Sequence, residues 1–245
     1  DNLLELGKEL DEIAKYAGIK KGEVFIFDLP GLKKDGILTS DNWPYLVEIA
    51  KCTGERTSDV FHSLRVLQKA GILTSDNLLE LGKQLDEISK YAGKNTRVVF
   101  EYGLPVLQEA GILTEDNLLD IGKGLVDIAK SADNKIGEVF EFGLPVLQRA
   151  GILTSDNWPY LVEIAKYAGE HTRDVFEYRL PDFQKAGILT SDNWSYLVEI
   201  AKYAGENTRA VFRFGLPVLQ EAGILTEDNL LELGKELDEI AKYAG

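Results

Sequence analysis

Catalysis needs reactive groups that converge, and this chain offers few of them. Its 245 residues include two histidines, His62 and His171, one cysteine, Cys52, and 41 carboxylates. A nucleophile activated by a base needs Ser, Thr or Cys beside a histidine, and a transition-metal site needs several His, Cys or carboxylate ligands. His62 occupies a position that holds Glu101, Glu141 and Glu177 in the internal repeats described below, and Cys52 stands where Tyr16, Tyr91, Tyr167 and Tyr203 stand. Each reads as a variant of a repeated position. The carboxylates are spread evenly with no pair set apart, a lone cysteine forms no intramolecular disulfide, and no glycine-rich phosphate loop follows a strand because no strand is predicted. Asn193-Trp194-Ser195 has the form of a glycosylation sequon, but the same position reads Asn-Trp-Pro at 42–44 and 157–159, so chance accounts for it. The expectation is a non-enzyme with no catalytic residue, no cofactor and no metal.

Recognition of a partner asks for other residue types. Arg56, Arg97, Arg173 and Arg209 lie in or beside short polar segments, in the contexts Glu-Arg-Thr, Asn-Thr-Arg, His-Thr-Arg and Asn-Thr-Arg, with His171 and Asn207 next to them. Stacked along an array, these arginines would form a ladder at one rim, and the six residues are the candidate partner-binding set. The alternative is that the arginines close helix ends or pair with nearby Asp and Glu.

What must position them is a tandem repeat. The tetrapeptide Gly-Ile-Leu-Thr begins at Gly36, Gly71, Gly111, Gly151, Gly187 and Gly223, and each copy is followed by an Asp-Asn pair. Residues 1–18 are identical to residues 228–245. One elongated repeat domain over 1–245 is expected, with repeats 1–35, 36–70, 71–110, 111–150, 151–186 and 187–222 and a terminal half-repeat 223–245.

Each repeat reads as two helices. Thr-Ser-Asp or Thr-Glu-Asp supplies a capping hydroxyl and first-turn carboxylates that suit the positive end of a helix dipole. In 76–93, Leu78, Leu81, Leu85, Ile88 and Ala92 recur at helical spacing while Lys83, Asp86, Glu87 and Lys90 fall elsewhere, giving one oily and one wet face. A glycine such as Gly93 then stops the first helix. The second helix carries Val99, Phe100, Leu104, Val106, Leu107 and Ala110 and stops at Gly111.

Proline placement sharpens the picture. Pro30, Pro105, Pro145, Pro181 and Pro217 share one position in the second helix, where a proline removes an amide and crowds the preceding turn, so those helices are predicted to be kinked or split. Repeat 2 has Arg65 instead and one residue fewer, which predicts the straightest second helix. First helices come in long and short forms that differ by four residues, about one helical turn, which keeps the oily face aimed at the core. Trp43, Trp158 and Trp194 sit in the short forms and are expected to fill volume left by the missing turn, an aromatic ligand ladder being the alternative. Gly7, Gly82, Gly122 and Gly234 sit in the long forms and are expected to let that helix approach its neighbour. The predicted fold is therefore all-α: a right-handed α-solenoid superhelix of two-helix repeats, with the second helix of most repeats kinked or split at proline.

Leu104-Pro105-Val106-Leu107, two residues, Ala110, two residues and Leu113-Thr114 resemble the repeat junction of transcription activator-like effector DNA-binding proteins. The pattern stands again at 144–154 and 216–226, with a variant at 180–190, and the Ile164-Ala165 pair near the end of a first helix is similar too. The resemblance extends along the whole chain. It implies that the segment after the first helix, around Tyr91-Ala92-Gly93 and Tyr167-Ala168-Gly169, reads one base per repeat. Here, however, the long first helices exceed the family's by about a turn, and the base-reading segment is nearly the same Lys-Tyr-Ala-Gly in several repeats.

Charge separates the functional readings. With 27 basic against 41 acidic residues the formal net charge is −14, which opposes the phosphate neutralisation that nucleic-acid binding rests on. Stacked hairpins make an extended curved face suited to proteins or peptides, and an acidic face favours a basic partner. The expected function is a binding scaffold that captures a protein or peptide of basic character. Nucleic-acid binding through the inter-helix loops is the alternative, and a structural, self-assembling array is the second alternative, because neither end shows a polar capping repeat and end-to-end association would follow. No signal peptide and no apolar run near the roughly 18 residues of a membrane helix is present, so no membrane partner is expected and the localisation is left open. The absence of methionine suggests a processed, excised or engineered segment.

Overall fold

The computed structural model describes residues 2–226 and 228–244, and the side chains of all of these except 2–6, 206, 241, 242 and 244. Every element among the described residues is helical. The first helices of the successive repeats are Asn2–Ala17, Trp43–Thr53, Leu78–Ala92, Leu118–Ala132, Trp158–Ala168 and Trp194–Ala204, and Leu230–Ala244 belongs to the half-repeat. The second helices cover 21–34, Thr57–Lys69, 96–109, 136–149, 172–185 and 208–221. The result is an all-α repeat fold in which successive hairpins pack in series.

Two packing units divide the chain, one comprising 1–109 and 113–126, the other 110–112 and 127–245, with the division falling inside the helix Leu118–Ala132. In the first unit Phe61 and Phe100 of the second helices are buried, as are Leu46, Ile49, Leu64, Leu81, Leu85 and Ile88. In the second unit Phe140, Phe176 and Phe212 occupy the same repeat position and are equally buried, with Phe183 beside Phe212 at 6.3 Å between ring centres. In repeats 2 to 6 one phenylalanine of the second helix, at the same repeat position, is fully buried. Trp158 and Trp194 are buried, and Tyr160 stacks on Trp194 at 5.9 Å. Trp43 is half-buried and its indole N–H donates to Glu9. Two of the three tryptophans are thus core residues, and the third is held at the edge by Glu9.

The prolines produce a specific irregularity. Each second helix that carries one is a residue longer than Thr57–Lys69, and the extra residue is taken up as a π segment: Thr96–Val98 is α-helical, Val99–Gly103 is π-helical, and Leu104–Glu109 is α-helical again. Val24–Asp28, Val139–Gly143, Val175–Arg179 and Val211–Gly215 repeat this arrangement. A π turn is a one-residue insertion in an α-helix, and here it solves the proline's problem as well. The N–H of Leu104 reaches back to the carbonyl of Val99, five residues away, and the next residue, Pro105, has no amide to place. The widened turn relieves the crowding between the proline ring and the carbonyl four residues earlier. Repeat 2, without proline and without the extra residue, is regular α-helix throughout Thr57–Lys69, as predicted.

The helix starts differ in detail from expectation. The Asp-Asn pair lies in a turn before the first helix, so Trp43 and Leu78 begin the helices and the aspartates precede them. The Thr hydroxyl does accept the N–H three residues on, from Asn42 to Thr39, Asn77 to Thr74 and Asn157 to Thr154. The Asn explains its own recurrence. Its side-chain amide donates to the isoleucine carbonyl of Gly-Ile-Leu-Thr, Asn42 to Ile37, Asn77 to Ile72, Asn157 to Ile152 and Asn193 to Ile188, and this ties the turn shut where no helix supplies the bonds. The Thr-Glu-Asp turn at 226–228 contains residue 227, which lies outside the described residues.

Glycine plays the two parts expected of it except at Gly7, where an added Cβ would meet nothing within 4 Å because no described first helix packs against that face. Gly82 and Gly122 meet Ile49 and Ile88 of the preceding first helix so closely that an added Cβ would sit 2.5 and 2.3 Å from the isoleucine Cδ1, and Gly234 meets Ile200 in the same way at 2.4 Å from its Cγ1. Gly54, Gly93, Gly169 and Gly205 end first helices with φ between 47° and 58° and ψ between −117° and −129°. That combination strongly favours glycine. Repeat 4 has Asp133 there, at φ 43°, the one non-glycine residue with positive φ among the described residues. Asp133→Gly is expected to raise stability by about 1 kcal/mol, read as an upward shift of the urea midpoint; an unchanged or lower midpoint would show that the aspartate is at ease in this turn.

Candidate recognition surface

The six candidate residues occupy two repeat positions instead of one. Arg97, Arg173 and Arg209 follow the threonine that opens the second helix, whereas Arg56, His171 and Asn207 precede that threonine, in the turns Gly54–Arg56, Gly169–His171 and Gly205–Asn207. A single arginine ladder is therefore corrected to two rows.

Residues of the turn row reach toward the following repeat. The guanidinium of Arg56 lies 3.0 Å from Asp86, a carboxylate that is almost wholly buried in the helix Leu78–Ala92 and is also held by Lys90. Asn207 donates to Asp238 at 3.4 Å, the same position in the half-repeat. A buried carboxylate left alone is costly, so these residues act as clamps between repeats and are poorly placed to contact a partner. His171 is half-buried in its turn.

The threonine-following row lies on the second helices and is paired along them. Arg97 bonds Glu101 at 2.9 Å. Arg173 bonds Glu177 at 2.7 Å and also Glu138 of the preceding repeat. Arg209 sits 3.5 Å from Asp174, which Arg213 approaches to 2.8 Å. These pairs move the titrations in the expected directions. Glu101 raises Arg97, Glu177 and then Glu138 raise Arg173, and Lys135 and Arg173 hold Glu138 below the usual carboxylate range. The pairs lie at or near the surface and contribute little stability each; their effect is to leave the guanidinium groups engaged.

Beside them runs a set of residues that the sequence reading missed. Phe27, Tyr102, Phe142, Tyr178 and Phe214 hold the same position in each π segment, and all are exposed, from 41% for Tyr102 to 66% for Phe27. The ring follows a glutamate in three of them, as Glu101-Tyr102, Glu141-Phe142 and Glu177-Tyr178. In a regular α-helix the residues after Val-Phe would return to the core one position sooner; the π turn's extra residue turns this ring outward. The one-residue length difference between repeat 2 and the others was the available signal. Cations already sit on two of these rings: the Arg173 guanidinium lies over Phe142 at 5.0 Å, and that of Arg213 over Phe214 at 5.4 Å. Tyr178 is raised by its hydrogen bond to Glu177.

Cys52 is exposed and His62 is half-buried, with burial lowering the imidazole's proton affinity. Among the described residues no group of three or more His, Cys, Asp or Glu is arranged to hold a metal ion, and no helix is long and apolar enough to cross a membrane. No family model matches this chain, and no curated protein or solved structure matches it either.

Proposed function

We propose that this protein is a non-enzymatic scaffold that captures a basic protein or peptide along the exposed face of its second helices. The observation that supports this reading is the repeated pairing of an exposed ring with a glutamate, at Tyr102, Phe142 and Tyr178, together with the guanidinium groups that already rest on Phe142 and Phe214. Rings and carboxylates set side by side favour lysine and arginine through ring faces and ion pairs at once. The acidic balance of the chain, −14, steers such a partner and repels nucleic acid.

A direct test is titration of the protein with a lysine- and arginine-rich peptide, an acidic peptide of equal length and a DNA duplex, at low and moderate salt. The basic peptide is expected to bind, more weakly as salt rises. Replacing Phe142, Tyr178 and Phe214 together by alanine is expected to weaken it by about tenfold or more, the scale of losing aromatic anchors. Equal binding by the triple variant, or retention of DNA at moderate salt, would overturn the reading.

Nucleic-acid binding in the manner of transcription activator-like effectors rests on the likeness of the repeat junctions; against it stands the engagement of Arg97, Arg173 and Arg209 by carboxylates. Self-association is a third reading. Sedimentation as a strict monomer at all concentrations would count against it.

A further inference from the structure

Within the first packing unit a groove of about 500 Å³ lies across repeat 2, between the π segments of repeats 1 and 3. Its charged groups are not balanced. Lys20 pairs with Asp59 at 2.8 Å, and Arg97 with Glu101 at 2.9 Å, so two of the four carboxylates that line it are neutralised. The other two are Glu23, which accepts a hydrogen bond from Ser58 at 3.4 Å, and Asp28.

Asp28 is the anomaly. It is 5% exposed, it lines the groove, and its Oδ2 is buried with no hydrogen-bond partner among the described residues. A buried carboxylate oxygen left unsatisfied costs folding free energy, and no packing need of the helix 21–34 requires an acid there, because the same position holds Gly103, Gly143 and Gly215 in other repeats. The groove also contains an exposed ring, Phe27, and the half-buried His62, whose proton affinity burial lowers.

We propose that this groove is a binding site for one alkylammonium group, the side chain of a lysine, which enters along the Phe27 ring and pairs with the Asp28 carboxylate. It rests on the basic partner proposed above and deepens that reading, since it gives the partner one fixed anchor. The ammonium is attracted by the Asp28 carboxylate, which lines the groove, and by Glu23, while its methylene stem lies on Phe27. Lys20 and Arg97 are held on their own carboxylates at the two rims, which keeps them from filling the gap.

Proton uptake opposes the ligand. Asp28 is pushed up to about 6: burial is the main cause, the Ser58 hydroxyl opposes it, Glu23 adds to it, Arg65 opposes it and Asp59 adds to it. A carboxyl whose folded value is raised stabilises the fold at low pH, and that stability is lost as pH rises through the folded value. Above it, the ionised and unsatisfied Asp28 is available to an ammonium group; below it, the neutral acid is not.

The experiment uses the full chain and two small probes, N-acetyl-lysine amide and its neutral counterpart N-acetyl-norleucine amide, followed by chemical shift changes of the groove residues. The lysine probe is expected to bind at about pH 8 and about tenfold more weakly at about pH 5, with the norleucine probe inert. Asp28→Asn is expected to lose about tenfold or more in affinity for the lysine probe and, being relieved of a buried charge, to melt at a higher temperature than the parent at about pH 8. Glu23→Gln, at an exposed position, is expected to weaken the lysine probe by a smaller factor. Equal binding of both probes, or unchanged lysine binding in Asp28→Asn, overturns the site. If a basic peptide still binds Asp28→Asn as tightly as the parent, the anchor is refuted while capture along the helix face stands; if the lysine probe binds through Asp28 but no basic peptide does, the site stands and the peptide reading fails.

Discussion

Arg65→Pro is expected to destabilise the protein by about 3 kcal/mol or more, whereas Pro105→Ala changes it by less than about 1 kcal/mol, although the two positions correspond. The difference lies in one residue. At Pro105 the helix has already widened over Val99–Gly103, so the missing amide and the ring have somewhere to go. At Arg65 the helix Thr57–Lys69 is regular, and a proline there breaks a backbone bond and collides with the carbonyl of Phe61, four residues back. Arg65 also holds Asp35 at 2.6 Å, and its guanidinium covers Gly31. Inserting one glycine after Ser63 together with Arg65→Pro creates the residue count of the other repeats and is expected to return much of the loss. Chemical denaturation of the parent, the single variant and the insertion variant measures this; an insertion that gives no recovery would sink the idea that the π turn exists to seat the proline.

Gly82→Val is expected to cost about 2–3 kcal/mol, the scale of overpacking a tight contact. The added Cβ alone would stand 2.5 Å from Cδ1 and 2.6 Å from Cγ1 of Ile49, so the helices Trp43–Thr53 and Leu78–Ala92 must separate or Ile49 must leave its rotamer. Ile49→Ala by itself opens a cavity and costs about 2–5 kcal/mol. Combined, each change removes the other's fault, and the double variant is expected to be at least about 1 kcal/mol more stable than the sum of the single effects predicts. Strict additivity would mean that glycine is present for helix flexibility and that the close approach has no energetic weight. Gly7 serves as the control, since nothing lies within 4 Å of its added Cβ, and Gly7→Ala is expected to be neutral or mildly stabilising.

How much of the candidate recognition surface was legible depended on whether a residue's role was local. The arginine positions could be found from their contexts, but their orientation could not: Arg56 and Arg97 are both near the same turn, yet one is drawn forward to a buried aspartate in the next repeat and the other lies along its own helix on Glu101. The exposed rings at Tyr102, Phe142 and Tyr178 were hidden by the assumption of an α-helical period, because one extra residue rotates everything that follows it by about 100°. Asp28 gave only one sequence signal, an acid at a repeat position that holds Gly103, Gly143 and Gly215 elsewhere, and that does not reveal its burial.

Taken alone, the order of amino acids determined the all-helical class, the four-residue length difference between first helices and three of the four places where glycine permits close approach, because each depends on local periodicity and backbone freedom. Only the tertiary structure decided which charges meet across repeats, how the proline-bearing helices absorb their additional residue and which carboxyl is left buried without a partner. Those outcomes are set by distances between segments some 30 to 40 positions apart, such as Arg56 to Asp86 or Lys20 to Asp59, and no local rule carries such distances.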